Sequence, residues 1–278
     1  MIALDGLDSF FFETEDEWSS LTGLLHAVVE LNRFLRSTQI PATLVAAVRS
    51  DIFEVLPTAE LNKAKAHVVH LDWSALGIGA RNKLWELVGA KAAVGRPEVR
   101  ELTRVYLNQP ISIGPYTELA EYFLDYTRLL PRDLIALLTV AQEVHPGSSP
   151  VIQSEAREIV RRYSEEYFVG EIMNNLAGVL GPNSARKVPI FRDALRGLPT
   201  RRFTFQDVQS EVAGDLDDGE TKALLRQMFE TGGLGVRNSS GRDEYTDFIY
   251  RRISGGGFTL RHGFLLHNAL TVAWNRPW

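Results

Sequence analysis

The stretch IALDGLD, residues 2–8, places Asp5 and Asp8 directly after an apolar run of Ile2, Ala3 and Leu4. A short buried strand that ends in acid is a common form of metal-binding strand end, because ligands of open α/β sheets gather outside the carboxyl ends of the strands. A second apolar run, PATLVAAVRSD, reads as a strand over 42–48 ending at Arg49. A carboxylate to hold Mg²⁺ and cations to meet charge building on a γ-phosphate are what phosphoryl transfer requires.

These residues need an element to position them. Thr14 and Glu17 have capping-box spacing, and Leu21, Leu24, Leu25, Val28, Leu31, Phe34 and Leu35 recur at helical period. The pattern predicts a helix over 15–37. Two short apolar strands joined by a long helix imply a right-handed parallel crossover. HVVHLDW (67–73) is a third strand candidate, followed by a helix over about 74–91. From 115 to 180 the period is helical throughout, with Pro131 suited to a first-turn position. From 185 it changes again, to helices near 186–197, 204–213 and 217–231 and strands near 234–238, 245–253 and 258–264. Three short helices and a β-hairpin are the order of a winged helix. The expected fold class is α/β, then all-α, then a winged helix, with segments 1–113, 114–184 and 185–278.

Composition bounds the function. The chain has 278 residues, 45% of them hydrophobic, and no cysteine, which removes disulfides and thiolate metal sites. It has no apolar run of 18 residues or more and no signal-peptide pattern, so the expectation is a cytoplasmic, bacterial-type protein away from membranes. The net charge of −5 argues against a general polyanion binder. Residues 1–184 carry 16 Lys and Arg against 24 Asp and Glu, whereas 185–278 carry 14 against 11. Any contact with DNA therefore belongs to the C-terminal third. There, Arg237, Arg242, Arg251 and Arg252 on the hairpin are candidates for phosphate contact, weak and indifferent to sequence. The helix over 217–231 begins with acids, which repel phosphates. The six histidines lack metal-ligand spacing, and no serine has a G-x-S-x-G context.

IALDGLD, VRSDIFEVL, NKAKAHVVHLDW, TRLLPRDLIALL, EIVRRYSEEYF and FLLHNAL, in that order, resemble the C-terminal two-thirds of bacterial AAA/STAND-like P-loop ATPases. In that family a nucleotide core is followed by a helical lid and a winged helix. The resemblance implies that Asp5 is the Walker B acid that binds Mg²⁺ with ATP, and that Asp8 is a second acid that helps position water. It also implies that Arg49 is a sensor-type arginine and that Arg132 is a lid arginine reaching toward the phosphates. As plain structure, Arg49 pairs with Asp51 or Asp5, and Arg132 with an acid of the bundle. One departure dominates: the sequence has no G-x-x-x-x-G-K-[ST], and its glycine clusters GIGARNK (77–83) and SGGGFT (254–259) do not match it. The expectation is a truncated or split ATPase-derived regulatory module, inactive alone. It would act through a protein partner, self-association at an open strand edge, or a separately supplied Walker A segment. The alternative is a non-enzymatic winged-helix DNA-binding or adaptor protein on a relic ATPase scaffold.

Overall fold

A computed structural model describes the chain except residues 8–14, 49–51, 54–55, 57–65, 72, 74–76, 78, 96–100, 108, 148–149, 241–242, 252–256 and 276–278. The fold is mixed α/β, divided into two compact units, 1–71 and 72–278. Among the described residues no helix is long and apolar enough to cross a membrane.

In the first unit, strand β1 (Ile2–Leu4) leads through helix α1 (Glu15–Ser37) to strand β2 (Leu44–Ala46). The strands pair in parallel, with Ile2 opposite Leu44 and Leu4 opposite Ala46. Leu21 and Leu25 of α1, at i and i+4, meet Leu56, with Leu7, Trp18, Ala46 and Val48 against them. Asn32 in α1 seals part of the outer edge of β2: its Nδ2 donates to the Leu44 carbonyl and its Oδ1 accepts from the Leu44 amide, both at 2.9 Å. The side-chain amide thus stands where a neighbouring strand's peptide would. Thr14 lies outside the described residues.

No strand forms at 67–71. Residues 66–67 are a turn, and Val69 and Leu71 are 82% and 72% exposed. Among the described residues the run pairs with neither β1 nor β2, and without a ladder its backbone has no reason to extend.

The second unit opens on helix α2 (Lys83–Ala92), which starts later than its periodicity suggests because Asn82 caps it. Asn82 Oδ1 accepts from the Leu84 amide, and its Nδ2 donates to the carbonyls of Trp73 and Gly77. A π-helical turn at Thr103–Leu107 precedes an antiparallel hairpin, β3 (Pro110–Ile113) and β4 (Tyr116–Glu118), and β4 departs from the helical period expected from 115 onward. Gly114, at φ +54, makes the turn between them, and the β-branched Ile111, Ile113 and Thr117 suit the pleat.

Helices α3 (Leu119–Asp125) and α4 (Pro131–Val144) follow. Next, α5 (Gln153–Tyr163) runs through a π-helical turn, Ser164–Phe168, into α6 (Val169–Leu176). Pro131 occupies the first turn of α4, where its missing N–H leaves no bond unmade.

The last stretch contains α7 (Ser184–Gly197), β5 (Arg202–Phe203), α8 (Phe205–Glu211) and α9 (Asp218–Glu230), then β6 (Leu234–Ser240), β7 (Asp243–Asp247), β8 (Phe264–Leu266) and α10 (Asn268–Ala273). The antiparallel sheet has order β5–β8–β6–β7. Thr204 and Asp217 head α8 and α9 with capping boxes. One apolar core runs from Leu84 to Leu270, so the helical segment and the C-terminal segment share their interior.

Candidate functional site

Because β1 and β2 are parallel, their carboxyl ends lie at one edge of the sheet. Asp5 follows β1 at that edge and is exposed; its Oδ1 accepts from the Gly6 amide at 2.8 Å, in a turn that Gly6 closes at φ +76. On the other strand, Ala47 N–H donates to the Leu4 carbonyl at 2.9 Å, so the chain approaching Arg49 passes the same edge. Arg49 and Asp8 themselves lie outside the described residues. Asp5 suits one anionic ligand to a divalent cation. Among the described residues no three His, Asp or Glu side chains gather as a metal cluster.

A phosphate cradle is a different matter. The glycine turn before α2 has Gly77 at φ +109 and Gly79 at φ +54, yet the Asn82 amide is bonded inside it. A Cβ at Gly77 would stand 2.4 Å from the Arg81 carbonyl oxygen, so this glycine serves the chain's own close approach. Among the described residues Asp5 offers a single carboxylate, and the glycine turn before α2 does not fit the triphosphate loop of ATP.

Arg132 stands in the first turn of α4 with its side chain 80% exposed, 4.0 Å from Glu171. Its neighbour Asp133 is fully buried. Arg128 grips Asp133 with two parallel bonds, Nε to Oδ2 at 2.8 Å and Nη2 to Oδ1 at 2.6 Å, and the Arg128 amide adds a third at 3.0 Å. Such bidentate pairs have the strongest side-chain geometry available to a guanidinium. The same guanidinium reaches the Thr231 carbonyl at 3.4 Å and lies over the Phe168 ring, tying the start of α4 to the end of α9.

A second polar hub centres on Asp125, at the end of α3. Tyr116 donates its hydroxyl to Asp125, Arg251 pairs with it at 2.5 Å, and Asn268 Nδ2 donates at 2.6 Å. Burial would raise this carboxyl, but Arg251 beside it and the hydrogen bonds from Tyr116 and Arg251 hold it below the usual range. Arg201 in turn donates to Asn268 Oδ1 at 2.7 Å. His267 is buried between the hubs, stacked on Phe168 at 4.5 Å. Its Nδ1 accepts from the Ala269 amide at 3.1 Å and its Nε2 lies 3.3 Å from the Thr127 carbonyl. With Nδ1 accepting, the proton sits on Nε2. Burial, with Arg251 nearby, lowers its pKa to about 3.

The hairpin arginines are thus distributed unevenly. Arg251, half-buried, pairs with Asp125 and lies over the Tyr250 ring. Arg237 is half-buried on β6 opposite Thr246, and Arg242 and Arg252 lie outside the described residues. Sequence reasoning passed over Arg128, Asp133 and Asp125, and set His267 aside with the other histidines for want of metal-ligand spacing. Their signal was present: a lone acid in YFLDYTRLL, and a His-Asn pair in FLLHNAL, each set within apolar residues.

Comparison with known protein families, curated proteins and solved structures gave no match to this chain.

Proposed function

We propose that this protein is a regulatory module derived from a P-loop ATPase, acting through a protein partner or with a separately supplied phosphate-binding loop. The observation that supports the reading is the β1–α1–β2 parallel crossover with Asp5 at its carboxyl edge, where such enzymes keep their Mg²⁺-binding acid. The carboxylate accounts for a metal ligand only. Positioning and electrostatics supply nearly all of phosphoryl-transfer catalysis, so a chain without the glycine loop and its lysine lacks the means to hold the β- and γ-phosphates.

The expected outcome is that purified protein turns over ATP with Mg²⁺ no faster than a buffer blank. Mg²⁺-dependent turnover that Asp5→Ala abolishes would sink the idea.

A second reading, a non-enzymatic winged-helix adaptor or DNA-binding protein, draws on the C-terminal topology. Helix α7, strand β5, helices α8 and α9, and the sheet run β5–β8–β6 follow the winged-helix order, with β7 as an added edge strand. Acid at the head of α9 disfavours base reading by that helix: Asp217 caps it, and Glu220 is paired with Lys187. Base-specific recognition by α9 is therefore not part of this reading.

A further inference from the structure

With Arg251 spent on Asp125, the basic character of the C-terminal third lies elsewhere. Residues 184–202 contain six cations (Arg186, Lys187, Arg192, Arg196, Arg201 and Arg202) and one acid, Asp193, a balance of +5 along the sequence, of which Lys187 is offset by Glu220 of α9. The stretch is helix α7 and the edge strand β5. Val188, Phe191 and Leu195 bury one side of the helix in the core. Three of the arginines are exposed: Arg186 and Arg196 on the helix and Arg202 on the strand. Among the described residues neither Arg186 nor Arg202 has an ion-pair partner, and Asp193 is shared at 3.0 Å from Arg192 and 3.9 Å from Arg196. From Arg186 to Arg196 the helix rises about 15 Å, roughly four nucleotide steps at about 3.4 Å each.

The kind of partner follows from what the patch lacks. Protein interfaces are anchored by buried aromatic or aliphatic side chains, and membrane-surface helices insert an apolar face. Among the described residues of 184–275 the only large hydrophobic side chain more than about a third exposed is Tyr245, on β7. A phosphodiester backbone needs no apolar anchor, since neutralised phosphates and released counterions carry its affinity.

We propose that α7 and β5 form a sequence-indifferent contact surface for the phosphate backbone of duplex nucleic acid, through Arg186, Arg196 and Arg202. This stands apart from the nucleotide reading and survives its failure.

The test is titration of a labelled 20-base-pair duplex with the full chain at 50 and 200 mM salt, against the Arg186→Gln/Arg196→Gln/Arg202→Gln variant, with circular dichroism confirming that the variant folds. At about 0.9 units of salt slope per phosphate contact, the three arginines account for about a 40-fold weakening between the two salts, and the variant should lose that dependence. A scrambled duplex should bind equally. An unchanged slope in the folded variant overturns the proposal, as does wild type that ignores duplex at 50 mM salt. Retention by polyglutamate or by anionic vesicles without retention of duplex would also overturn it, assigning the patch to an acidic protein or a lipid surface.

Discussion

Acidification should expose the energetic role of His267. The ring is held neutral, with Nδ1 accepting from Ala269 and Nε2 donating to Thr127, so a second proton has no acceptor and would displace the Ala269 bond. Its folded pKa is lowered from 6.5 to about 3, whereas the unfolded chain titrates near 6.5. A group with depressed folded basicity of this kind keeps its full stabilising effect above pH 6.5 and loses it as pH falls below. At pH 5 the unfolded state binds a proton that the folded state refuses, and integrating from pH 7 gives a loss of about 2 kcal/mol. Asp125, held below the usual carboxylate range, loses its own contribution only at still lower pH, outside this window. For a unit of this size about 2 kcal/mol corresponds to roughly 4–8 °C in Tm. The assay is urea unfolding followed by circular dichroism at pH 7, 6 and 5 for wild type and His267→Gln. The variant is less stable at pH 7, and its stability falls less steeply with acid by about that amount. Parallel pH dependences would refute the assignment of the buried neutral ring.

Other outcomes are expected. Removing one partner of the Arg128–Asp133 pair should destabilise by about 3–5 kcal/mol, because the other charge stays buried. The Arg128→Met/Asp133→Leu double variant should cost less than either single change, which a double-mutant cycle by urea unfolding resolves. Asn32→Ala breaks both bonds to Leu44 and should weaken the first unit by about 1–3 kcal/mol, visible as faster hydrogen exchange at Leu44. Gly77→Ala forces a Cβ to within 2.4 Å of the Arg81 carbonyl oxygen at φ +109, and a loss of at least about 1 kcal/mol in thermal melts is the expected sign.

Much of the architecture was legible wherever periodicity was strong. The apolar spacing from Leu21 to Leu35 matches α1 over Glu15–Ser37, and two short apolar runs about a long helix pair in parallel as handedness and connection length suggest. The helices near 186–197, 204–213 and 217–231 correspond to α7, α8 and α9 to within a few residues. Local signals failed where tertiary context decided. HVVHLDW has strand composition but, among the described residues, pairs with no strand, while PISIGPYTE sat beside a helical run whose period masked its turn at Gly114. Single polar residues in apolar stretches carry no period at all. Asp125 and Arg251 are 126 positions apart, and nothing local to either announces the other.

The helical rod from Gln153 to Leu176 has a counting property. Its fully buried side chains Ile159, Tyr163, Phe168, Ile172 and Leu176 step by four residues, except across the π turn at Ser164–Phe168, where the step is five. A surplus residue has been absorbed there without rotating the stripe out of phase with the core. In an ordinary helix, losing one residue turns everything downstream by about 100° and faces the wrong side chains inward. Here, removing exposed Glu165 would return the turn to four-residue spacing and leave both halves of the rod facing the core they already face. The edit that most damages a packed helix is, at this one turn, the edit its packing is already phased to accept.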